Sequence, residues 1–156
     1  MQDLIIKRLF PEDAEHLSRL LTDDDSAYGR FFTPFASDAK SLSATLASVK
    51  QDRFWGLWFN ETLAGFFMLR GFDEGYLRPS FGVYISPNFS RRGLSKLALE
   101  YSMSWCRLNG ILKLMLKVHP DNTFAKKTYE QSGFRFLEVC PRTGHNIMEK
   151  TWDGGK

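Results

Sequence analysis

Apolar residues recur along the chain with two periods, and together these set out an alternating order of strands and helices. Residues 4–9 form a short apolar run read as a strand, and Pro11-Glu12-Asp13-Ala14 then opens a helix with proline and acids in its first turn. Residues 23–37 carry three consecutive aspartates and the aromatic-rich Tyr28-Gly29-Arg30-Phe31-Phe32-Thr33-Pro34-Phe35, which fits neither period and reads as irregular or partly helical. Leu42, Leu46 and Val49 predict a second helix within residues 38–50. Residues 54–59 and 63–70 read as a hairpin around Asn60-Glu61-Thr62. Residues 81–85 give a fourth strand, stopped at Ser86-Pro87 because proline cannot donate to a ladder.

Leu94, Leu97, Ala98, Tyr101, Trp105 and Leu108 predict the apolar face of a long helix that Gly110 terminates. Residues 112–118 follow as a fifth strand, and strand, helix, strand in this order implies a right-handed parallel crossover. Residues 122–132 predict a last helix closed by Gly133, and residues 134–139 and 146–152 two final strands around Pro141-Arg142-Thr143-Gly144. The expected fold class is α/β, a mixed sheet with helices on both faces.

A chain of 156 residues, 43% hydrophobic and 15% aromatic, has the size of one domain, read as residues 1–156, with a frayed tail over residues 153–156. No apolar run approaches the roughly 18 residues of a membrane span, and the first residues lack the pattern of a signal peptide. The expectation is a cytoplasmic protein without a membrane partner. Cys106 and Cys140 lack metal-ligand or redox spacing and read as reduced structural thiols, so no metal is expected. The 21 basic and 18 acidic residues, net +3, are well mixed. Nucleic acid is therefore not expected as a partner, because its binders cluster their charge, whereas a polyanionic small ligand suits a mild positive excess.

Two segments carry chemistry. Ser86-Pro87-Asn88-Phe89-Ser90-Arg91-Arg92-Gly93-Leu94-Ser95-Lys96 links a strand end to a helix start, where unpaired N–H groups and the helix dipole attract anions. Arg91, Arg92 and Lys96 add mobile positive charge. An Arg-Arg-Gly at a helix start is also what an ordinary solvated cap looks like. In the second segment, residues 118–134, Asn122, Ala125 and Tyr129 fall on one helix face at offsets of three and four.

Both segments resemble those of the GNAT superfamily of acyl-CoA-dependent N-acyltransferases. That family's Val-x-Pro-x-Asn-x-x-Ala-x-x-x-Tyr-x-x-x-Gly-Phe pattern is filled by Val118, Pro120, Asn122, Ala125, Tyr129, Gly133 and Phe134. Its pyrophosphate loop, Gln/Arg-x-x-Gly-x-Gly/Ala, corresponds here to Ser90, Gly93 and Ser95, so only the central glycine is retained. That loop works mainly through backbone N–H groups, and the Ser95 hydroxyl is a further donor.

The resemblance implies the GNAT fold with splayed fourth and fifth strands, acetyl-CoA as co-substrate, and acetyl transfer to a primary amine within a ternary complex. It implies that the backbone of Tyr84 and Ile85 pairs with the pantetheine arm and that Arg91, Arg92, Gly93, Leu94, Ser95 and Lys96 hold the pyrophosphate. Asn122 is implied to bond the pantetheine near Ala125, and Tyr129 to be the general acid for the departing thiolate. A phenol, with a pKa of about 10, is protonated at neutral pH and can donate to a thiolate whose acid has a pKa of about 8.5.

The base that must deprotonate the acceptor ammonium is less legible, because the fourth strand has no acid. Glu74 and Asp73 just upstream, His119 after the fifth strand, and a water relay stand as alternatives, beside their ordinary readings as solvated turn residues and a backbone-bonded histidine.

The acceptor region gathers Tyr28, Arg30, Phe31, Phe32, Phe35, Trp55, Trp58, Phe67, Arg70, Tyr76 and Arg78, most of whose rings are expected in the core. Arginines among rings suit an anionic or flat acceptor such as a nucleotide-linked amino sugar. A peptide acceptor, either a protein N-terminus or a lysine, is the competing reading, with a polyamine ranked last. A catalytically silent acyl-CoA sensor is the reading from another class. Relatives of this family often dimerise, which leaves a homodimer open.

Overall fold

The computed structural model describes residues 1–22 and 37–153. Seven strands, β1 (Leu4–Arg8), β2 (Arg53–Phe59), β3 (Thr62–Arg70), β4 (Ser80–Ile85), β5 (Lys113–Val118), β6 (Arg135–Val139) and β7 (Asn146–Thr151), form one sheet in the order β1-β2-β3-β4-β5-β7-β6. Four helices accompany them: α1 (Ala14–Thr22), α2 (Ala39–Ser48), α3 (Leu94–Leu108) and α4 (Thr123–Gln131). Neighbouring strands are antiparallel except β4 and β5, the parallel pair joined by the α3 crossover. The expected mixed sheet with helices on both faces and splayed β4 and β5 is the one observed. The expected element at residues 23–37, with Tyr28, Arg30, Phe31, Phe32 and Phe35, lies almost wholly outside the described residues.

Alternation along the central strands divides the core. Trp55 and Leu57 of β2, Phe67 and Leu69 of β3, and Phe81 and Ile85 of β4 pack on one face with Leu99, Met103 and Cys106 of α3. Phe54 and Trp58, Phe66 and Met68, and Tyr84 turn to the other face under Leu17 of α1 and Leu42 and Leu46 of α2. Each fully buried large side chain contributes about 1.5–3 kcal/mol relative to exposure.

Local chemistry sets the ends of the elements. Asp13 accepts the Phe10 N–H at 2.8 Å in a 3₁₀ turn, Pro11–Asp13, that leads into α1. Asp38 caps α2 by accepting the Ser41 N–H at 2.9 Å. Asn60 turns the β2–β3 hairpin at φ 57°, a left-handed conformation that asparagine tolerates.

The buried face of α3 differs from the predicted one by a rotation. Ala98, Leu99, Ser102, Met103 and Cys106 face the sheet, whereas Leu97 and Leu108 are exposed. Small residues let the helix approach closely, and the buried Ser102 hydroxyl is satisfied by donating to the Ala98 carbonyl at 2.9 Å. Tyr101 and Trp105 flank this face and set ring edges against Trp55, with centroids 5.4 and 5.6 Å away.

Candidate active site

The two parallel strands share only two register pairs, Ser80 with Met115 and Phe81 with Leu116. Beyond them β4 continues along β3 to Ile85, while β5 continues along β7 to Val118. The strands therefore fork, and the facing backbone edges in the open part are not used by the ladder. Tyr84 and Ile85 lie there with both side chains buried, on opposite faces of the sheet, so what they present along the fork is backbone.

The loop after β4 reaches α3 through two left-handed residues, Arg91 at φ 62° and Gly93 at φ 84°. Left-handed residues amid ordinary ones curl successive N–H groups toward a common point, the concave arrangement that binds phosphate. Holding Arg91 this way costs of order 1 kcal/mol. The first backbone bond of α3 runs from the Leu97 N–H to the Gly93 carbonyl at 3.0 Å, so the N–H groups of Leu94, Ser95 and Lys96 precede the helical ladder. A Cβ at Gly93 would meet nothing within 4 Å. Glycine is therefore required here by its φ and by the open approach, not by packing. Among the described residues no ion pair engages Arg91, Arg92 or Lys96, all of which are exposed. The Ser90 hydroxyl donates to the Pro87 carbonyl at 2.9 Å and serves its own turn. The loop thus combines a concave run of backbone N–H groups with exposed positive charge, an arrangement suited to an anion.

On the far arm of the fork, the spacing around Tyr129 has a structural cause. Gly133 is left-handed at φ 95°; its N–H bonds the Glu130 carbonyl at 3.0 Å and the Phe134 N–H bonds the Tyr129 carbonyl at 3.0 Å. This paired closure of a helix end requires glycine and brings the flanking apolar side chains together. The Tyr129 and Phe134 rings accordingly meet at 6.1 Å. Lys150 secures the same end by donating to the Ser132 carbonyl at 2.6 Å. Tyr129 is thereby fixed, half-buried, on the α3 side of the sheet with Ala125. Asn122 caps α4, its Oδ1 accepting the Ala125 N–H at 3.2 Å, so contact with a ligand would run through Nδ2.

The base candidates separate. Glu74 is exposed on the β3–β4 loop, at the closed end of the fork and the opposite end of β4 from the phosphate loop. Asp73 accepts the N–H groups of Lys50, Gln51 and Asp52 at 3.0, 2.6 and 3.4 Å, which hold its carboxyl below the usual range. It joins two loops. His119 does lie at the open end, where its Nδ1 accepts the Asp121 N–H at 3.1 Å and its ring meets that of His145 at 5.2 Å.

Of the described acceptor candidates, Trp55, Trp58 and Phe67 are core residues and Tyr76 is exposed on the β3–β4 loop, while Arg70 ends β3 half-buried. Arg78 is ion-paired with Glu149 of β7. This neutralises one of the arginines expected to attract an anionic acceptor. His145, missed in the sequence because it follows a turn-like stretch, is brought beside His119 by the β5–β7 pairing.

Residues 15–134 match the acetyltransferase (GNAT) family, a span that runs from α1 through the phosphate loop and α4 to Phe134. The [ribosomal protein bS18]-alanine N-acetyltransferase of Salmonella typhimurium is 36% identical over 62 residues, a match covering 40% of this chain and 40% of that protein, so the chain spans about two-fifths of that curated relative's length. Similar solved structures include PaiA N-acetyltransferase of Thermoplasma acidophilum in complex with coenzyme A, with TM-score 0.79, 21% identity and coverage of 96% of this chain and 99% of that one. The ribosomal-protein-S18-alanine N-acetyltransferase of Escherichia coli superposes with TM-score 0.75 at 17% identity, covering 96% and 94%. The family match, over a span holding both the phosphate loop and the Tyr129 segment, and a fold that agrees with it throughout show that the chain belongs to the GNAT family of acetyltransferases.

Proposed function

We propose that this acetyltransferase moves the acetyl group of acetyl-CoA to the α-amine of a protein or peptide N-terminus. The observation that carries the choice of acceptor is the 36% identity with an enzyme named for a ribosomal-protein alanine. The pairing of Arg78 with Glu149 and the burial of Trp55, Trp58 and Phe67 weaken the case for a nucleotide-linked amino sugar.

In this reading the N–H groups of Leu94, Ser95 and Lys96 receive the pyrophosphate, with Arg91, Arg92 and Lys96 supplying charge. The edge of β4 that faces the fork aligns the pantetheine, so that the thioester reaches the fork near Tyr129. Tyr129 donates its phenolic proton to the sulfur as the C–S bond breaks.

The test measures acetyl-CoA binding by calorimetry and thiol release with a peptide bearing a free N-terminal alanine, an amino sugar and spermidine. Turnover of the peptide is expected, with Tyr129→Phe keeping affinity and losing about 100-fold or more in kcat. Turnover confined to the amino sugar or spermidine overturns the acceptor. Binding without turnover of any amine leaves a sensor, and absence of binding removes the enzyme reading.

A further inference from the structure

The donor features, namely the phosphate loop leading into α3 and the half-buried Tyr129, belong to the α3 side of the sheet. The opposite face of the fork is lined from β5 by the residues that alternate away from α3. Leu114, Leu116 and Val118 enter the α3 cluster, while Met115 turns the other way to meet Cys140 and Ile147. By the same alternation Lys117 and His119 follow Met115. Val118 pairs with Asn146, which sets His119 across from His145, and the two rings meet at 5.2 Å and 60°.

We infer that His145 accepts the proton of the acceptor ammonium, on the face of the fork opposite α3, with His119 as its positioning residue. This rests on the acetyl transfer proposed above. The His119 Nδ1 is taken by the Asp121 N–H, so its neutral ring carries the proton on Nε2 and is a donor there. That leaves His145 as the imidazole able to receive. Its backbone is fixed on both sides: its N–H donates to Thr143 Oγ1 at 3.2 Å and its carbonyl accepts the Cys140 N–H at 2.8 Å. The ring is half-buried. Charged and titratable groups around it are Lys117, His119 and Asp121 on the β5 side, and Cys140 and Arg142 on the β6–β7 turn. Burial first, then the neighbouring His119 and Lys117, hold His145 below the ordinary histidine range, so its ring is neutral at pH 7 and keeps a lone pair to accept a proton.

The steps balance. The ammonium N–H bond breaks and the proton moves to His145; the freed nitrogen pair forms the C–N bond at the thioester carbonyl. The C–S bond breaks, the thiolate takes the Tyr129 proton, and the amide nitrogen loses its extra proton to solvent. His145 and Tyr129 then return to their starting forms by exchange with water.

The experiment follows kcat against pH, at saturating acetyl-CoA and the amine turned over fastest by the wild type, for His145→Gln and Lys117→Met in the full chain. In the wild type the acid limb should fall below about 6.5, an ordinary histidine's value. In His145→Gln, kcat should drop by about 100-fold or more, and the limb should move toward that of the amine, about 8 for an N-terminus. Lys117→Met removes a neighbouring charge and should move the limb upward, an effect that a merely structural role for His145 does not give. Retention of the limb in His145→Gln, with kcat within about threefold of wild type, overturns the inference. Should His145→Gln lose acetyl-CoA binding, the Lys117→Met profile decides, and an unmoved limb there overturns it. A wild type that binds acetyl-CoA without turnover fails the proposed activity instead.

Discussion

Replacing Asp73 by alanine should destabilise the fold while sparing catalysis. Its carboxylate gathers three backbone N–H groups from the segment between α2 and β2, and its own N–H donates to Asp52 Oδ1 at 3.2 Å. The two aspartates therefore lock the β3–β4 loop to the α2–β2 segment, with two like charges close together. Hydrogen bonds to a charged group contribute about 1.5–3 kcal/mol each when dry, but this carboxylate is exposed and water can replace much of what is lost. A total of about 1–2 kcal/mol follows, or a fall of about 3–6 °C in Tm. Asp52 has the opposite sign. Burial pushes its carboxyl up, so the ionised form costs stability as pH rises through its folded pKa. Asp52→Asn keeps an acceptor for the Asp73 N–H and removes the charge, and should leave Tm at pH 7 unchanged or higher. Because Asp73 is held low, its contribution is present above the usual carboxylate value and lost as pH falls through the depressed one. Thermal unfolding at pH 7 and pH 3 with both variants checks this. A change under about 1 °C for Asp73→Ala, or an equal fall for Asp52→Asn, refutes the clamp; a collapse of kcat at unchanged Tm would instead make Asp73 the base.

Gly93→Ala places a side chain where φ is 84°, at a strain of about 1–2 kcal/mol. The exposed loop relaxes to escape it in the free protein and must take it up again on binding, so acetyl-CoA should weaken by about 5–30-fold in calorimetry with little change in Tm; an unaltered Kd would remove the loop from phosphate binding. Both thiols are buried, so alkylation should be slow, but they should react unequally. Burial pushes Cys106 up to about 12, whereas hydrogen bonds from the Thr143 side chain, then the backbone of Thr143 and Arg142, bring Cys140 down to about 7. Iodoacetamide at pH 7.5 should therefore modify Cys140 first, as read by peptide mass, and equal rates would contradict the hydrogen bonding at its sulfur.

The strands were legible because alternation and punctuation act locally. Each predicted strand is present, with ends shifted by a residue or so, as at Ser80 and Arg135. The α3 face is less legible because size does not decide burial there: Leu97 and Leu108 are large but exposed, and close packing goes to Leu99, Ser102 and Cys106 beside the expected Ala98. The segment ending at Phe134 was legible because one sequence serves two purposes. Gly133 and Phe134 close α4 by backbone bonding, and that closure fixes Tyr129. Asp52, Asp73 and His145 were not legible as partners, since their contacts join segments 21 or more residues apart, or strands that are neighbours only because β7 inserts between β5 and β6.

That insertion bears on the chemistry. Were β6 to pair directly with β5, the chain following Phe134 would lie beside the fork, and His145 would begin a strand one place further away. Placing β7 next to β5 brings the start of the last strand to the end of the fifth, and two histidines 26 positions apart in the sequence become cross-strand neighbours. The β4–β5 ladder stops after two register pairs, so the facing edges beyond it are open to an extended partner. In the proposed mechanism an extended ligand bonded to that edge would divide the fork into a donor side under α3 and an acceptor side at the histidines. On the proposed mechanism the amine would reach the thioester carbonyl from the histidine side while the sulfur lies toward Tyr129, so the proton accepted and the proton donated need not pass through one residue. A base at Glu74, at the closed end of the fork, would not produce this separation, and for that reason the pH profile of His145→Gln bears on the fold's logic as well as on one residue.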